Sequence, residues 1–320
     1  MASPLIFIDG DQGTTGLQIH QRLRDRTDLR LITLSPEHRK DPQRRAEIIN
    51  ACDIAILCLP DQAARDAVAS IENPAVRVID ASSAHRTHPD WTYGFAEMNS
   101  QQAQRIATAR RVSNPGCYST GAIAALAPLV KAGLVGADEA LSINAISGYT
   151  GGGKELIGEY ERGQAPAAFV YALGQKHKHL PEIMKYVGLS TRPVFAPSVG
   201  NFAQGMAVQI PLHLNGRRIA DLRDALSAHY DGAQFVQVID AAPRIVPTTL
   251  NDTNMMELSV HGSDDNGVAV LVAVPLLVLG VFFVLPVGAM VSRGFFVDGT
   301  FDPGGVVEVL GRSRVHRVLW

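Results

Sequence analysis

The chain has 320 residues, of which 46% are hydrophobic, and its formal net charge is −2 at pH 7. This length is sufficient for two domains with separate cores, and the near-neutral charge argues against nucleic acid as the main partner. Three cysteines at unrelated spacings predict neither a disulfide framework nor a metal site, which favours a reducing, cytoplasmic compartment. The first residues lack a basic region followed by a long apolar segment, so we do not expect a signal peptide.

The first element is a short apolar strand over residues 5–8, which runs directly into a turn containing Gly10, Gly13 and Gly16 and then into an amphipathic helix. Such a strand, turn and helix let the pyrophosphate of a dinucleotide approach the N-terminus of the helix. The spacing differs from the commoner G-x-G-x-x-G, and a turn without a ligand would look similar. The pattern therefore predicts a dinucleotide site only in combination with later features.

The second strand, over residues 29–34, ends just before Ser35, Arg39 and Lys40. A hydroxyl and two cations suit the 2′-phosphate of NADP, and they suit a solvated basic turn equally well. Strands over 54–59 and 76–80, with a helix over 61–71 between them, predict a parallel, doubly wound sheet. Cys52 and Cys58 fall in an apolar segment, and we expect both to be buried structural thiols.

A different setting surrounds the third cysteine. Cys117 follows Pro115 and Gly116 and precedes an alanine-rich helical pattern over residues 121–131. The positive end of a helix favours the thiolate, and free backbone N–H groups there can hold an oxyanion. We therefore expect Cys117 to be a nucleophile, and the alternative is a buried free cysteine.

Two further segments carry polar groups suited to chemistry. The glycine-rich stretch 147–154 ends in Lys154 and predicts an anion-binding loop, with a flexible hairpin as the alternative. His177 and His179 are flanked by lysines, which fits either a solvated loop or an acid–base group oriented by a carboxylate such as Glu182. No further ligands at useful spacing support a metal site. Alternating segments over 206–214 and 256–260 predict a mostly antiparallel sheet.

Seven stretches together resemble the N-acetyl-γ-glutamyl-phosphate reductases of the shorter type, namely residues 7–16, 57–61, 93–95, 113–118, 147–154, 177–182 and 195–200. The resemblance implies a semialdehyde dehydrogenase-like α/β fold. This fold has a Rossmann-like doubly wound parallel sheet and a second α+β domain with a mostly antiparallel sheet. It implies an NADP-binding domain over 1–112 and a catalytic, substrate and oligomerisation domain over 113–273. Aspartate-semialdehyde dehydrogenase shares this architecture and is the alternative.

The resemblance also implies a reaction and a set of site residues. NADPH would reduce the acyl phosphate of N-acetylglutamate to the 5-semialdehyde in arginine biosynthesis, through a thioester on Cys117, in a homodimer or tetramer. The expected acid–base residue is His179, with His177 left open, and Glu182 would assist it. The expected cofactor-binding residues are Gly10, Gly13, Thr14, Thr15, Gly16, Ser35, Arg39 and Lys40. The expected substrate-binding residues are Asn114, Ser147, Gly148, Tyr149, Gly152 and Lys154.

The segment 274–320 departs from this resemblance, which stops near Ala273. Residues 267–292 contain no charged side chain, and the run is long enough to span a bilayer. The segment resembles the first membrane span and following loop of an ABC-transporter permease, in which prolines such as Pro275 and Pro286 are tolerated. The alternative is a buried helix or strand pair. We expect a foreign tail in place of the family's last helix, and an inactive membrane-tethered fusion product is a further alternative function.

Overall fold

The structure, a computed structural model, describes residues 3–275 and two short strands at Phe296–Val297 and Thr300–Phe301. The helices are α1 (Thr14–Leu23), α2 (Pro42–Ala51), α3 (Asp61–Ala69), α4 (Gln102–Thr108), α5 (Cys117–Lys131), α6 (Gly153–Glu161), α7 (Leu180–Val187) and α8 (Ile219–His229). The strands are β1 (Leu5–Asp9), β2 (Arg30–Ile32), β3 (Ile54–Leu57), β4 (Arg77–Asp80), β5 (Thr92–Tyr93), β6 (Arg111–Ser113), β7 (Ser142–Gly148), β8 (Ala168–Val170), β9 (Val194–Gly200), β10 (Met206–His213), β11 (Val236–Val238), β12 (Met256–Ser263), β13 (Val268–Pro275), β14 (Phe296–Val297) and β15 (Thr300–Phe301).

The first sheet, sheet A, consists of six parallel strands in the order β2-β1-β3-β4-β6-β5. Side chains alternate across a strand, so Ile6 and Ile8 of β1 pack with Ile19 of α1, whereas Phe7 packs on the opposite face with Ile49 of α2. Helices therefore cover both faces, which explains why the strands read as continuous apolar runs. The predicted doubly wound parallel sheet is confirmed.

The second sheet, sheet B, has seven strands in the order β11-β12-β13-β10-β7-β9-β8. Four of its six pairings are antiparallel, as predicted, and β11 with β12 and β7 with β9 are the parallel pairs. Helix α5 lies across this sheet, and Ile123 and Leu126 of the helix are fully buried in its core. At Gly121, an added Cβ would touch Val208 and Ala273, so the helix approaches the sheet closely at this point.

Several boundaries differ from those expected from sequence. Helix α5 begins at Cys117, before the alanine-rich pattern. The glycine-rich stretch forms a 3-10 turn over Tyr149–Gly152 and then α6, and not a hairpin. Cys52 is buried at the end of α2 and not in a strand, and burial raises the pKa of its thiol to about 11. Cys58 follows β3 and is only half-buried, contrary to the expectation of a buried thiol.

Strand β13 continues through Val274 and Pro275, the first two residues of the predicted tail. Val274 is buried and pairs with Glu257 of β12, and Pro275 pairs with Met256. Apart from β14 and β15, the predicted tail from residue 276 onward lies outside the described residues, and so does the expected membrane span. Within the part of the chain that the structure describes, no helix has the length and apolarity needed to cross a bilayer.

Candidate active site

The carboxyl ends of four strands of sheet A open into a cleft of about 670 Å³. One wall is formed by the segments that follow β1, β3, β4 and β6. The other wall is formed by α5, by the stretch from the end of β7 into α6, by β8 and by the segment before α7. The lining residues include Gly13, Thr14, Thr15, Cys58, Arg86, Asn114, Cys117, Ser147, Gly152, Tyr171, His177, Lys178 and His179. The turn after β1 and the thiol of Cys117 therefore share one space, at the edge where parallel sheets usually bind ligands.

The glycine turn after β1 is shaped to leave the N-terminus of α1 open. Gly10 has φ +88°, and a Cβ on Gly10 or Gly16 would collide with main-chain atoms of Cys58 or of Gly10 itself. Gly13 precedes α1 as its N-cap and no side chain caps the helix. The first N–H groups of α1 are thus available to an anion such as a pyrophosphate, and Gly13, Thr14 and Thr15 line the cleft beside them.

Of the three residues expected to contact a 2′-phosphate, only Arg39 is brought close to the glycine turn. Its Nε is buried and lies 3.6 Å from Oδ1 of Asp11, and within residues 3–275 it has no hydrogen-bond partner. Ser35 and Lys40 are exposed in the segment between β2 and α2. A buried guanidinium nitrogen without a partner fits a site that an anionic group completes.

Cys117 is the first residue of α5, and Gly116 is the N-cap, with no side chain capping the helix. The thiol is half-buried in the cleft. Burial raises the pKa of Cys117, while the charge of Arg86, the backbone N–H of Tyr118 and the charge of Lys178 lower it. Burial outweighs the other effects, so the pKa lies above its ordinary value. The helix start and the nearby cations favour the thiolate, as expected, but loss of solvent around the sulfur opposes them.

His179 is buried immediately before α7 and lies directly against the turn that precedes Cys117. A Cβ on Gly116 would collide with its Cδ2 and Nε2 atoms. Burial lowers the pKa of His179 well below its ordinary value, and the charges of Arg86 and His177 act in the same direction. His177 is half-buried, with its ring centroid 4.6 Å from that of His179, and its Nδ1 accepts from the backbone N–H of His179 at 3.2 Å. The geometry thus brings His179, and not His177, to the turn beside the thiol.

Glu182 does not orient a histidine, which corrects the expectation from sequence. Its Oε1 accepts from Nη1 of Arg86 at 2.9 Å. Its Oε2 accepts from the Tyr93 hydroxyl at 2.8 Å, the Gly116 N–H at 2.9 Å and the Ser119 hydroxyl at 2.8 Å. The side chain is 1% exposed, and these four donors satisfy its buried oxygens. It lies in the first turn of α7, and two of its donors, Gly116 and Ser119, are at the start of α5.

Among the residues that the structure describes, three buried polar atoms of the cleft lining have no hydrogen-bond partner, namely Arg86 Nε, Asn114 Oδ1 and His179 Nδ1. Buried polar atoms are usually paired, so three together favour a bound polar ligand. The sequence placed the stretch 80–86 on the cofactor side of the predicted sheet but assigned no role to Arg86 or Lys178. The signal for Arg86 was its position after β4, at the carboxyl end of a parallel strand. Within the described residues, no group of three or more His, Cys, Asp or Glu side chains could hold a metal ion.

The glycine-rich stretch contributes only part of what was expected. Ser147 and Gly152 line the cleft, whereas Gly148, Tyr149 and Lys154 do not. Lys154 lies in the first turn of α6 with its side chain exposed. Its expected place as the cationic group of an anion-binding loop is therefore not supported by the geometry. The short helix α6 carries its side chain out of the cleft.

Comparison with known proteins places this geometry in context. Two family models match, the semialdehyde dehydrogenase NAD-binding domain over residues 7–106 and the semialdehyde dehydrogenase dimerisation domain over residues 117–275. The chain is 54% identical to N-acetyl-gamma-glutamyl-phosphate reductase 2 of Pseudomonas putida, over 86% of this chain and 91% of that protein. It is 53% identical to N-acetyl-gamma-glutamyl-phosphate reductase of Burkholderia orbicola, over 86% of this chain and 92% of that protein.

Solved structures with the same fold are more distant in sequence. Aspartate semialdehyde dehydrogenase II from Vibrio cholerae aligns with a TM-score of 0.67 at 16% identity, over 92% of this chain and 100% of that chain. Aspartate semialdehyde dehydrogenase with NADP from Candida albicans aligns with a TM-score of 0.64 at 14% identity, over 91% and 99%. At these identities, the likeness shows the shared fold alone.

Proposed function

The chain belongs to the N-acetyl-γ-glutamyl-phosphate reductase family, and from this premise we propose that it reduces N-acetyl-glutamyl 5-phosphate with NADPH. The products are N-acetylglutamate 5-semialdehyde and phosphate, a step of arginine biosynthesis. The observation that carries the proposal is the position of Cys117 at the start of α5, in the same cleft as the open N-terminus of α1. Relatives of that name share 53–54% of their residues with this chain, whereas the aspartate-semialdehyde enzymes share 14–16%.

We assign dinucleotide binding to the domain over residues 1–112 and catalysis, substrate binding and oligomerisation to the domain over 113–273. Gly13, Thr14 and Thr15 would contact the pyrophosphate at the start of α1, while Gly10 and Gly16 keep the turn tight. Arg39 would bind the 2′-phosphate, with Ser35 and Lys40 at the rim. When bound, the cofactor supplies a hydride to the acyl carbon.

The phosphoryl group of the substrate is proposed to lie against Arg86 and Lys178. Both side chains line the cleft with Cys117, and Nε of Arg86 has no partner within the described residues. Two cations near one thiol suit a leaving group that carries two negative charges. Asn114, Ser147 and Gly152 would contact the rest of the acyl chain from the walls of the cleft.

Acylation starts with the proton of the thiol. Because burial raises the pKa of Cys117, the sulfur needs a base, and burial keeps His179 neutral and able to accept that proton. The sulfur then bonds to the acyl carbon, the bond from carbon to the phosphate oxygen breaks, and His179 passes the proton to the departing phosphate. A thioester on Cys117 remains.

Hydride addition to the thioester carbon gives a tetrahedral intermediate whose carbon is bonded to the sulfur of Cys117 and whose oxygen carries the negative charge. The free N–H groups in the first turn of α5 would donate to that oxygen. The oxyanion collapses to the aldehyde as the carbon–sulfur bond breaks, and His179 delivers a proton taken up from solvent to the sulfur. One acyl phosphate, one hydride and one proton thus yield one aldehyde and one phosphate.

The test is phosphate-dependent reduction of NADP⁺ by the full chain with N-acetylglutamate 5-semialdehyde. Cys117→Ser should abolish turnover and retain NADP⁺ binding, while Cys52→Ala, at a thiol outside the cleft, should retain turnover. Activity with aspartate semialdehyde alone would replace the proposal with the alternative dehydrogenase. Near-normal turnover of Cys117→Ser would overturn the thioester route.

We further propose a cytoplasmic homo-oligomer that forms through the second domain and has no nucleic-acid partner. The match of residues 117–275 to a dimerisation domain supports this arrangement. Because Val274 and Pro275 belong to β13 and to the matched family segment, we infer that the foreign tail begins at residue 276, that it derives from the start of a permease, and that any membrane contact runs through it. Fractionation of cells expressing the full chain tests this inference. Extraction from membranes by detergent alone would support a membrane-inserted tail, and recovery without detergent would contradict it.

A further inference from the structure

Helix α7 holds the segment 86–87 through three side chains on one face. Glu182 accepts from Nη1 of Arg86 at 2.9 Å, Lys185 donates to the carbonyl oxygen of Thr87 at 2.9 Å, and Tyr186 donates to the carbonyl oxygen of Arg86 at 2.6 Å. Side chains three and four residues apart lie together on a helix, which is why one helix reaches both residues. Arg86 is thus fixed at its guanidinium and at its main chain.

Tyr186 lies outside the cleft, and its ring is part of the same network. It stacks on Tyr93 with a centroid distance of 3.8 Å and an interplanar angle of 21°. The hydroxyl of Tyr93 donates to Glu182. Burial raises the pKa of Tyr186 to about 12, so its hydroxyl is a donor throughout the neutral range.

We propose that Tyr186 is a positioning residue that sets the place of Arg86 against the phosphoryl group. The inference rests on the proposed function, in which Arg86 binds that group. The guanidinium is held by Glu182 and, through Nη2, by the carbonyl oxygen of Ala81 at 3.2 Å, which leaves Nε without a partner. The place of Nε therefore depends on where the main chain of Arg86 lies, and the Tyr186 hydroxyl fixes that main chain.

A matched control exists in the same domain. The hydroxyl of Tyr230 donates to the carbonyl oxygen of Ala124 at 2.9 Å and is buried, so Tyr230→Phe removes a bond of the same kind. Tyr230 does not line the cleft, and the carbonyl oxygen that it binds lies seven residues after Cys117 in α5. Tyr186→Phe keeps the ring stacked on Tyr93 and removes the hydroxyl alone. A difference between the two variants therefore reports on Arg86 and not on the general cost of a lost hydrogen bond.

The experiment measures kcat and the KM values for phosphate and NADP⁺ in the aldehyde-oxidising direction, with thermal unfolding of each variant. We expect Tyr186→Phe to raise the KM for phosphate about three- to tenfold and to leave the KM for NADP⁺ unchanged. Tyr230→Phe should lower the melting temperature about as much as Tyr186→Phe does, and it should leave both KM values unchanged. Equal KM values for phosphate in the two variants would overturn the inference.

Binding of inorganic phosphate, measured by calorimetry on the full chain, separates this inference from the proposed function. If the wild type lacks turnover and binds phosphate more tightly than Tyr186→Phe does, the proposed reaction fails and the positioning role stands. If the wild type turns over and both variants bind phosphate alike, the positioning role fails alone. If neither kinetics nor calorimetry detects phosphate binding by the wild type, Arg86 binds no phosphate and the inference is overturned.

Discussion

His179 lies against Gly116 so closely that a single methyl group on the glycine would collide with the imidazole Nε2. The same methyl group would lie 2.7 Å from Nη1 of Arg86. Gly116 has φ −72° and ψ 145°, angles that any residue can adopt. The backbone conformation therefore does not require glycine here, whereas the close approach of His179 and Arg86 does. The residue before the nucleophile therefore sets how near the base and the cation can approach.

Replacing Gly116 with alanine should separate these groups and lower kcat by about 100-fold, because small displacements in a reacting site cost that much. Steady-state kinetics with the aldehyde and NADP⁺ would measure the loss. Gly174→Ala is the control, since a Cβ there meets nothing within 4 Å. A rate near that of the wild type in Gly116→Ala would mean that neither neighbour takes part in the chemistry.

Substitution of the two histidines should separate their roles. His179→Gln is expected to lower kcat by about 10²–10⁴-fold, because it removes the acid–base group. His177→Gln should have a smaller effect, since His179 and not His177 lies against Gly116, the residue before the nucleophile. The measurement is single-turnover reduction of the acyl-enzyme. The reverse order of the two effects would assign the proton transfers to His177.

The pH dependence of thiol reactivity follows from the raised pKa of Cys117. The thiolate reacts with iodoacetamide, so the alkylation rate should still be rising at the ordinary cysteine value of about 8.5 and should level off at higher pH. Peptide mass spectrometry at Cys117 would follow the reaction in the free protein. A plateau already reached below pH 8 would show that the helix N-terminus and Arg86 outweigh burial.

Cofactor preference should depend on Arg39. Arg39→Leu is expected to raise the KM for NADP⁺ about tenfold or more and to leave the KM for NAD⁺ unchanged, because only NADP⁺ carries the 2′-phosphate. Lys40→Ala should have a weaker effect, since Lys40 is exposed. Kinetics with both cofactors would measure the ratio, and an equal change in both KM values would remove Arg39 from the 2′-phosphate site.

Stability should depend on a carboxylate that joins the two domains. Glu97 accepts from the backbone N–H groups of Gln234, Phe235 and Val236, at 2.7–3.3 Å. Glu97→Gln should lower the free energy of unfolding by about 1–2 kcal/mol, because one of its two acceptor oxygens becomes a donor. Urea denaturation would measure it. Glu47→Gln, at a surface ion pair with Arg44, should change stability by less than about 0.5 kcal/mol.

Features of the site that depend on neighbouring residues could be predicted from sequence. The glycine turn between β1 and α1 and the place of Cys117 ahead of a helix follow from local strand, turn and helix patterns. Strand β6 was not predicted, so the meeting of the glycine turn and the thiol at one edge of sheet A became visible only in the structure.

Features that depend on distant residues could not be predicted in the same way. Glu182 is three positions from His179 in the chain, yet its donors include Arg86, which is 96 positions away. Nearness in sequence suggested a carboxylate–histidine pair, and the direction of α7 prevented it. The pKa of Cys117 depends on how much protein surrounds the sulfur, and the residues next to it in the chain do not reveal that.

Strand β13 is the last strand of sheet B in chain order, yet it lies between β12 and β10 in the interior of that sheet. Helix α5, which begins with Cys117, packs on it through Gly121, close to Ala273 and Pro275. During synthesis, the strands of sheet A are complete once residue 113 has emerged from the ribosome, but sheet B waits for residue 275. Because domains fold as units while the chain grows, a nascent chain acquires its dinucleotide fold before the platform for its nucleophile exists.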